Sequence, residues 1–135
     1  MPLPGGGLLI NDAYNANPVS MRAALVQLAE RAAGRRRVAI IGDMAELGPE
    51  AEIFHREIGE LAASQGVETL VAVGDLARAY VEGASGVPVT RWIPDATTAA
   101  AEAGELVEPG DCVLVKASRA VGLEAVAEAL AAVNA

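Results

Sequence analysis

Five short apolar stretches, each followed by a segment of helical spacing, constrain this chain more than any other feature. The stretches are Leu8–Ala13, Val38–Asp43, Thr69–Gly74, Thr90–Ile93 and Cys112–Ser118. Each has the length and the Val, Ile and Leu content of a buried strand. The first helical segment places Met21, Ala24, Leu25, Leu28 and Ala32 on one face. Asn17 is its natural cap, Pro18 its first residue and Gly34 its stop. A second helix is expected from about Pro49 to Ser64, with Phe54, Ile58, Leu61 and Ala62 inward. A short one follows Asp75, another follows an Asp95 cap, and a last one runs from about Gly122 to Val133. Strict alternation of strand and helix implies an α/β three-layer sandwich, with a mostly parallel sheet of about five or six strands and helices on both faces. Right-handed crossovers then gather every strand-to-helix turn at the carboxyl edge of the sheet, where ligands of open α/β sheets bind.

The chain has 135 residues, enough for one domain with one core, and 53% of them are hydrophobic. No apolar run is long enough to span a membrane, and no basic leader followed by an apolar stretch points to a signal peptide. A single cysteine, Cys112, excludes an internal disulfide and fits a reducing, cytoplasmic setting. Net charge is −8, and the only basic cluster, Arg35-Arg36-Arg37, falls at a helix end, where it complements the dipole. With no basic face and only four aromatic residues, the chain is not built to bind nucleic acid. Residues 1–7, Met1-Pro2-Leu3-Pro4-Gly5-Gly6-Gly7, read as a linker or as the edge of a piece cut from something longer, and residues 8–135 as the domain.

The polar chemistry collects in the expected rim turns. Lys116 is the only lysine; it ends a strand and is followed by Ser118 and Arg119. Two cations and a hydroxyl at a helix N-terminus suit a carboxylate or phosphate. The alternative is an ion pair with an acid of a neighbouring turn, such as Asp43 or Glu46. Asp12 ends the first strand, where an acid can accept from ribose hydroxyls or hold Mg²⁺, or simply bond its own turn. Tyr14 can stack on a base or plug the core; Asn15 is free to contact a ligand; Asn17 is a cap. Asp43 and Glu46, in a glycine-bounded turn, can bind an ammonium or cap the next helix. His55, the only histidine, reads as solvated or packing. It has no partners for a zinc site or a Ser–His–Asp arrangement. Neither G-x-x-x-x-G-K-[ST] nor G-x-G-x-x-G occurs, so the chain has no triphosphate cradle of its own.

Three motifs carry a family resemblance. They are Asp12-Ala13-Tyr14-Asn15-Ala16-Asn17-Pro18 with Ser20-Met21; Gly42-Asp43-Met44-Ala45-Glu46-Leu47-Gly48 with His55-Arg56; and Leu114-Val115-Lys116-Ala117-Ser118-Arg119 with Leu123-Glu124. In order and spacing they resemble the C-terminal domain of the Mur ligases, from about Gly7 to Leu130. They are most similar to the member that joins D-alanyl-D-alanine to UDP-MurNAc-tripeptide. The resemblance implies a Rossmann-like domain of an ATP-dependent amide ligase of peptidoglycan precursor synthesis. A UDP-sugar domain and a central P-loop ATPase domain, both outside this sequence, would be its partners. ATP would phosphorylate the tripeptide carboxylate to an acyl phosphate, which the dipeptide amine attacks. Mg²⁺ and most phosphate contacts would belong to the central domain. Asp12, Tyr14 and Asn15 would bind the nucleotide; Lys116, Ser118, Arg119, Asp43 and Glu46 would bind the dipeptide. No catalytic or metal-ligating residue is expected in this chain, which by itself should not catalyse.

Two departures stand out. The family carries glycine where Ala117 stands, and alanine disfavours φ > 0, which puts the geometry of that turn in question. The methionine before Leu-Glu is replaced around Val121. Two other classes compete. A phosphoacceptor receiver domain would share the alternating sheet and, superficially, Asp12, Asp43 and Lys116, but it needs an acidic pair after the first strand. A non-catalytic interaction module would use the alanine-rich helix faces.

Overall fold

The computed structural model describes residues 1–133. Six strands form one sheet: β1 (Pro2–Leu3), β2 (Gly7–Asp12), β3 (Arg37–Gly42), β4 (Thr69–Val73), β5 (Val89–Ile93) and β6 (Cys112–Lys116), in the order β1-β2-β6-β3-β4-β5. All neighbours are parallel except β1 with β2. The helices are α1 (Pro18–Ala32), α2 (Ala51–Ser64), α3 (Arg78–Gly83), α4 (Ala96–Leu106) and α5 (Glu124–Val133). This is the α/β three-layer sandwich expected from the alternation, and it is Rossmann-like as the resemblance implies.

Strand side chains point alternately to the two faces, and two separate cores result. Ala39 and Ile41 of β3 join Leu70, Ala72 and Leu114 beneath Met21, Leu25 and Leu28 of α1, Ile58 of α2 and Tyr80 of α3. Val38 and Ile40 join Val71, Val113 and Val115 beneath Ala99 and Ala103 of α4 and Val126 and Leu130 of α5. All five residues of β6 are buried, as befits a central strand covered on both faces.

α1 begins as its sequence indicates. The Asn17 side chain accepts from the Ser20 N–H at 2.8 Å, the Ser20 hydroxyl accepts from the Asn17 N–H at 3.1 Å, and Pro18 follows the cap. Residues 1–7 depart from the linker reading. Pro2–Leu3 pairs antiparallel with Gly7 and Leu8, and Leu3 is buried. A 3-10 turn with positive φ at Gly5 and Gly6 reverses the chain between them. α2 is rotated by about one position from its expected facing. His55, Ile58, Gly59 and Ala62 are buried, whereas Phe54 and Leu61 are only partly so. The cause is the crossing with α3, so close that a Cβ on Gly59 would lie 2.0 Å from the Tyr80 carbonyl oxygen.

Of the three clustered arginines, only Arg35 reaches the last carbonyls of α1, donating to Ala32 O at 3.2 Å. Arg36 instead makes a two-pronged pair with the buried Asp111, at 2.9 and 2.7 Å, and also donates to Thr69. Arg37 donates to Gln65 O at 2.6 Å. The cluster therefore ties down the amino edge of the sheet, opposite the rim of turns.

Candidate functional site

The carboxyl ends of β2 to β6 lie along one edge, and their turns carry every residue singled out above except His55. In the turn after β2, Ala13 and Ala16 are buried and anchor the backbone. Tyr14 and Asn15 between them are exposed, so Tyr14, 56% exposed, does not plug the core. Parallel register sets Asp12 directly beside Lys116. The Lys116 ammonium donates to Asp12 Oδ2 at 2.5 Å and to the Asn15 carbonyl at 2.7 Å. Lys116 is 1% exposed while the Asp12 side chain is 47% exposed. The lysine thus does have an ion pair with a neighbouring acid, but the acid is Asp12 rather than Asp43 or Glu46.

The loop after β3 is held from below. Met44 is fully buried, and its N–H donates to Nε2 of His55 at 2.9 Å. Nδ1 of His55 lies 2.6 Å from the Ala51 carbonyl. Since Nε2 must accept, Nδ1 carries the proton and donates. Burial holds this imidazole below its ordinary pKa, against the Ala51 carbonyl and the Asp43 charge. Tyr80 packs its ring 4.8 Å from His55 and donates its hydroxyl to Gly42 O at 2.8 Å. Burial pushes its phenol well above the ordinary range. His55 is therefore a packed residue that anchors the loop, a role that its helical position alone does not disclose. At the tip of the loop, Glu46 is exposed and in the left-handed region, φ 61°.

Asp43 links three turns. Its Oδ1 accepts from the Ala77 N–H at 2.8 Å, at the entry to α3. Its carbonyl accepts from the Ser118 N–H at 3.0 Å, after β6. Burial raises its carboxyl pKa, opposed by the N–H groups of Ala77 and Leu76. Gly74, φ 112°, passes so close that a Cβ there would lie 2.6 Å from Asp43 Oδ1. Trp92 donates to Gly74 O at 2.7 Å and fixes that turn in place.

These turns enclose an open cleft of about 330 Å³, lined on its polar side by Asp43, Asp75, Asp95 and Ser118. Asp75 and Asp95 add two carboxylates beyond the expected set. The Asp95 carboxyl is held below its ordinary pKa by the Thr98 N–H that it caps. Ser118 is 8% exposed, and Arg119 beside it is exposed and in no ion pair among the described residues. Ala117 is buried without positive φ, so alanine fits where a glycine was expected. Gly42 accommodates it: a Cβ there would lie 2.8 Å from that of Ala117. Val121, at the methionine position, lines the cleft.

The rim thus has two halves. On one, a half-exposed carboxylate is flanked by an exposed phenol and amide. On the other, three carboxylates and a serine face a cleft with a free guanidinium at its margin. Among the described residues no group of three or more His, Cys, Asp or Glu is placed to hold a metal ion. No helix among them is long and apolar enough to cross a membrane.

The sheet order and the rim turns are those of an open α/β ligand-binding domain. The family model described as "Mur ligase, glutamate ligase domain" matches residues 3–119, and the chain belongs to the Mur ligase family. Among its relatives is the UDP-N-acetylmuramoyl-tripeptide–D-alanyl-D-alanine ligase of Mycobacterium tuberculosis, 43% identical over 94% of this chain and 29% of that protein. A crystal structure of MurF from Acinetobacter baumannii superposes with a TM-score of 0.80 at 32% identity, over 92% of this chain and 28% of that one. The structure of MurF ligase from Thermotoga maritima in complex with ADP gives 0.75 at 29% identity, over 94% and 28%. The chain therefore spans less than a third of the length of the relatives it matches.

Proposed function

We propose that this chain is the C-terminal domain of an ATP-dependent amide ligase that joins D-alanyl-D-alanine to UDP-MurNAc-tripeptide in the cytoplasmic synthesis of peptidoglycan precursors. The observation that carries the reading is the meeting of three motif turns on one sheet edge, in a chain 43% identical to an enzyme named for that reaction. Family membership sets aside the receiver-like and interaction-module alternatives.

In this reading the two halves of the rim serve two substrates. Asp12 accepts from the ribose of ATP, with Tyr14 and Asn15 against the adenosine; half-exposure leaves the carboxylate room to do so. Asp43, helped by Asp75, receives the ammonium of the dipeptide, while Ser118 and Arg119 receive its carboxylate. Glu46 stands on the exposed loop above the cleft. Mg²⁺ and the phosphates are held by the central ATPase domain of the whole protein, where the tripeptide carboxylate becomes an acyl phosphate. The contribution of this domain is to present the amine at a fixed distance from that carbon and to exclude water. Orientation of this kind supplies a large share of the rate for a two-substrate reaction.

An amide NMR titration of the chain tests the assignment. D-alanyl-D-alanine should bind at about millimolar concentration, worth ~4 kcal/mol. It should move the amides of Asp43, Asp75 and Ser118. Mg-ATP should move those of Asp12, Tyr14 and Asn15. A dipeptide response confined to the opposite, amino edge of the sheet would overturn the site assignment. Steady ligation by this chain alone would overturn its placement as a non-catalytic part.

A further inference from the structure

Lys116 is the one charged side chain that the sheet buries completely at the rim. A buried ammonium is costly unless each of its protons finds an acceptor. Two acceptors are visible, and both belong to the turn after β2: the Asp12 carboxylate at 2.5 Å and the Asn15 carbonyl at 2.7 Å. None belongs to the cleft on the other side, whose lining does not include Lys116. The two bonds also differ in kind. The first fixes a side chain, leaving the other oxygen of Asp12 for a ligand. The second fixes the backbone three residues on, and with it the path of the exposed Tyr14–Asn15 segment. A lysine at this strand end thus sets the shape of a turn that otherwise hangs from two small anchors, Ala13 and Ala16.

We infer that Lys116 is a positioning residue for the nucleotide-side turn, residues 12–15, and not a contact for the amine substrate. The inference rests on the nucleotide reading of that turn given above. It also sets the division of labour on β6. Lys116 turns to one half of the rim, and Ser118, two residues on, turns to the other. The strand that occupies the middle of the sheet thus serves one site through its last residue and the other through the turn that follows it.

The test is Lys116→Met, a side chain of similar length that keeps the buried stem while releasing a half-exposed, self-solvating Asp12. Binding of ADP and of D-alanyl-D-alanine is measured on the same samples, together with amide hydrogen exchange. The variant should bind ADP about tenfold more weakly and the dipeptide within about twofold of the original. Exchange at Tyr14, Asn15 and Ala16 should quicken, with no change in the α2 or α4 amides. Asp12→Asn should lose at least as large a factor for ADP, and the double variant little more than Asp12→Asn alone, because Lys116 acts on the nucleotide through Asp12 and its turn. Loss of dipeptide affinity with ADP binding intact would overturn the inference and return Lys116 to the substrate. Unchanged affinities with unchanged exchange would overturn it too. Should the original chain fail to respond to ADP, the nucleotide reading falls by itself. Exchange at residues 14–16 then decides: quickened exchange in Lys116→Met upholds the positioning role, and unaltered exchange ends it.

Discussion

Replacing His55 by leucine should loosen the loop at residues 42–48 and lower stability by an amount that the contacts predict. Leucine is close enough in volume to refill a fully buried site, so the packing loss is small. What it cannot do is accept the Met44 N–H, which is itself buried. Orphaning a buried donor costs about 1–3 kcal/mol. Loss of the ring contact with Tyr80 adds about 0.5–1.5 kcal/mol. The sum, about 1.5–4.5 kcal/mol, lies below the usual 5–15 kcal/mol of a small domain, so the variant should fold. At roughly 4 °C per kcal/mol for a chain of this size, the melting temperature should fall by about 6–18 °C. Thermal unfolding followed by circular dichroism measures it. A fall of less than about 2 °C would mean that the His55–Met44 bond does not hold the loop.

The same pair predicts a dependence on pH. The folded imidazole titrates below its ordinary value, and the unfolded one near about 6.5. Between those values the unfolded chain holds more protons, so stability rises with pH. The contribution of His55 is complete above about pH 6.5 and is lost as pH falls through that value toward the folded pKa. Asp43 runs the other way. Its folded carboxyl titrates above its ordinary value, so its share of stability is lost as pH rises from the unfolded value near 3.8 through the folded one. Comparing the two chains isolates the imidazole. The melting-temperature gap between them should narrow as pH drops from about 7.5 to about 5.5, and a constant gap would refute the neutral, accepting Nε2.

The glycines offer a matched pair. Gly59→Ala places a Cβ 2.0 Å from the Tyr80 carbonyl oxygen, a backbone atom that no rotamer change can move aside. It should cost about 3 kcal/mol or more in urea unfolding. Gly104→Ala, inside α4 with nothing within 4 Å of the new Cβ, should gain about 0.5–1 kcal/mol by the same measurement. Arg36→Ala leaves Asp111, 2% exposed, without its cation and should cost about 3 kcal/mol, seen as a lower urea midpoint at unchanged slope.

What could be read from the sequence follows from the range over which each interaction acts. The central strands β3, β4 and β6 are contiguous apolar runs buried on both faces almost throughout, as in Cys112–Lys116, and the partly exposed β2 and β5 carry less of that signal. The cap at Asn17 is written within three residues. β1 was not legible, because two residues carry no periodicity and its pairing depends on backbone angles at Gly5 and Gly6. The inward face of α2 was misplaced by about one position. Hydrophobicity favoured Phe54 and Leu61, whereas the structure spends that face on a glycine that touches α3 and a histidine that touches a loop eleven residues earlier. Asp75 and Asp95 were visible as turn and cap residues. Only the adjacency of the turns after β3, β4 and β5 shows them to share a cleft with Asp43.

The partner of Lys116 illustrates the limit most directly. The sequence suggests an anion pocket for it or, as the alternative, an ion pair with Asp43 or Glu46, acids that follow the strand it does neighbour. But β6 is inserted between β2 and β3, so its end has two flanks. On the β3 flank the Asp43 carboxylate is already taken by the Ala77 N–H, and its carbonyl by Ser118. On the β2 flank the register sets an otherwise unpartnered carboxylate level with the ammonium. Which acid wins is decided by strand order together with prior occupancy, and neither is a local property of the sequence. The consequence is functional as well as architectural. A ligand that draws on Asp12 draws on Lys116 through an ion pair, and Lys116 is two residues from the serine that lines the other half of the rim. Under the proposed assignment the two halves of the rim are therefore joined by a short stretch of chain that leaves the end of a fully buried strand.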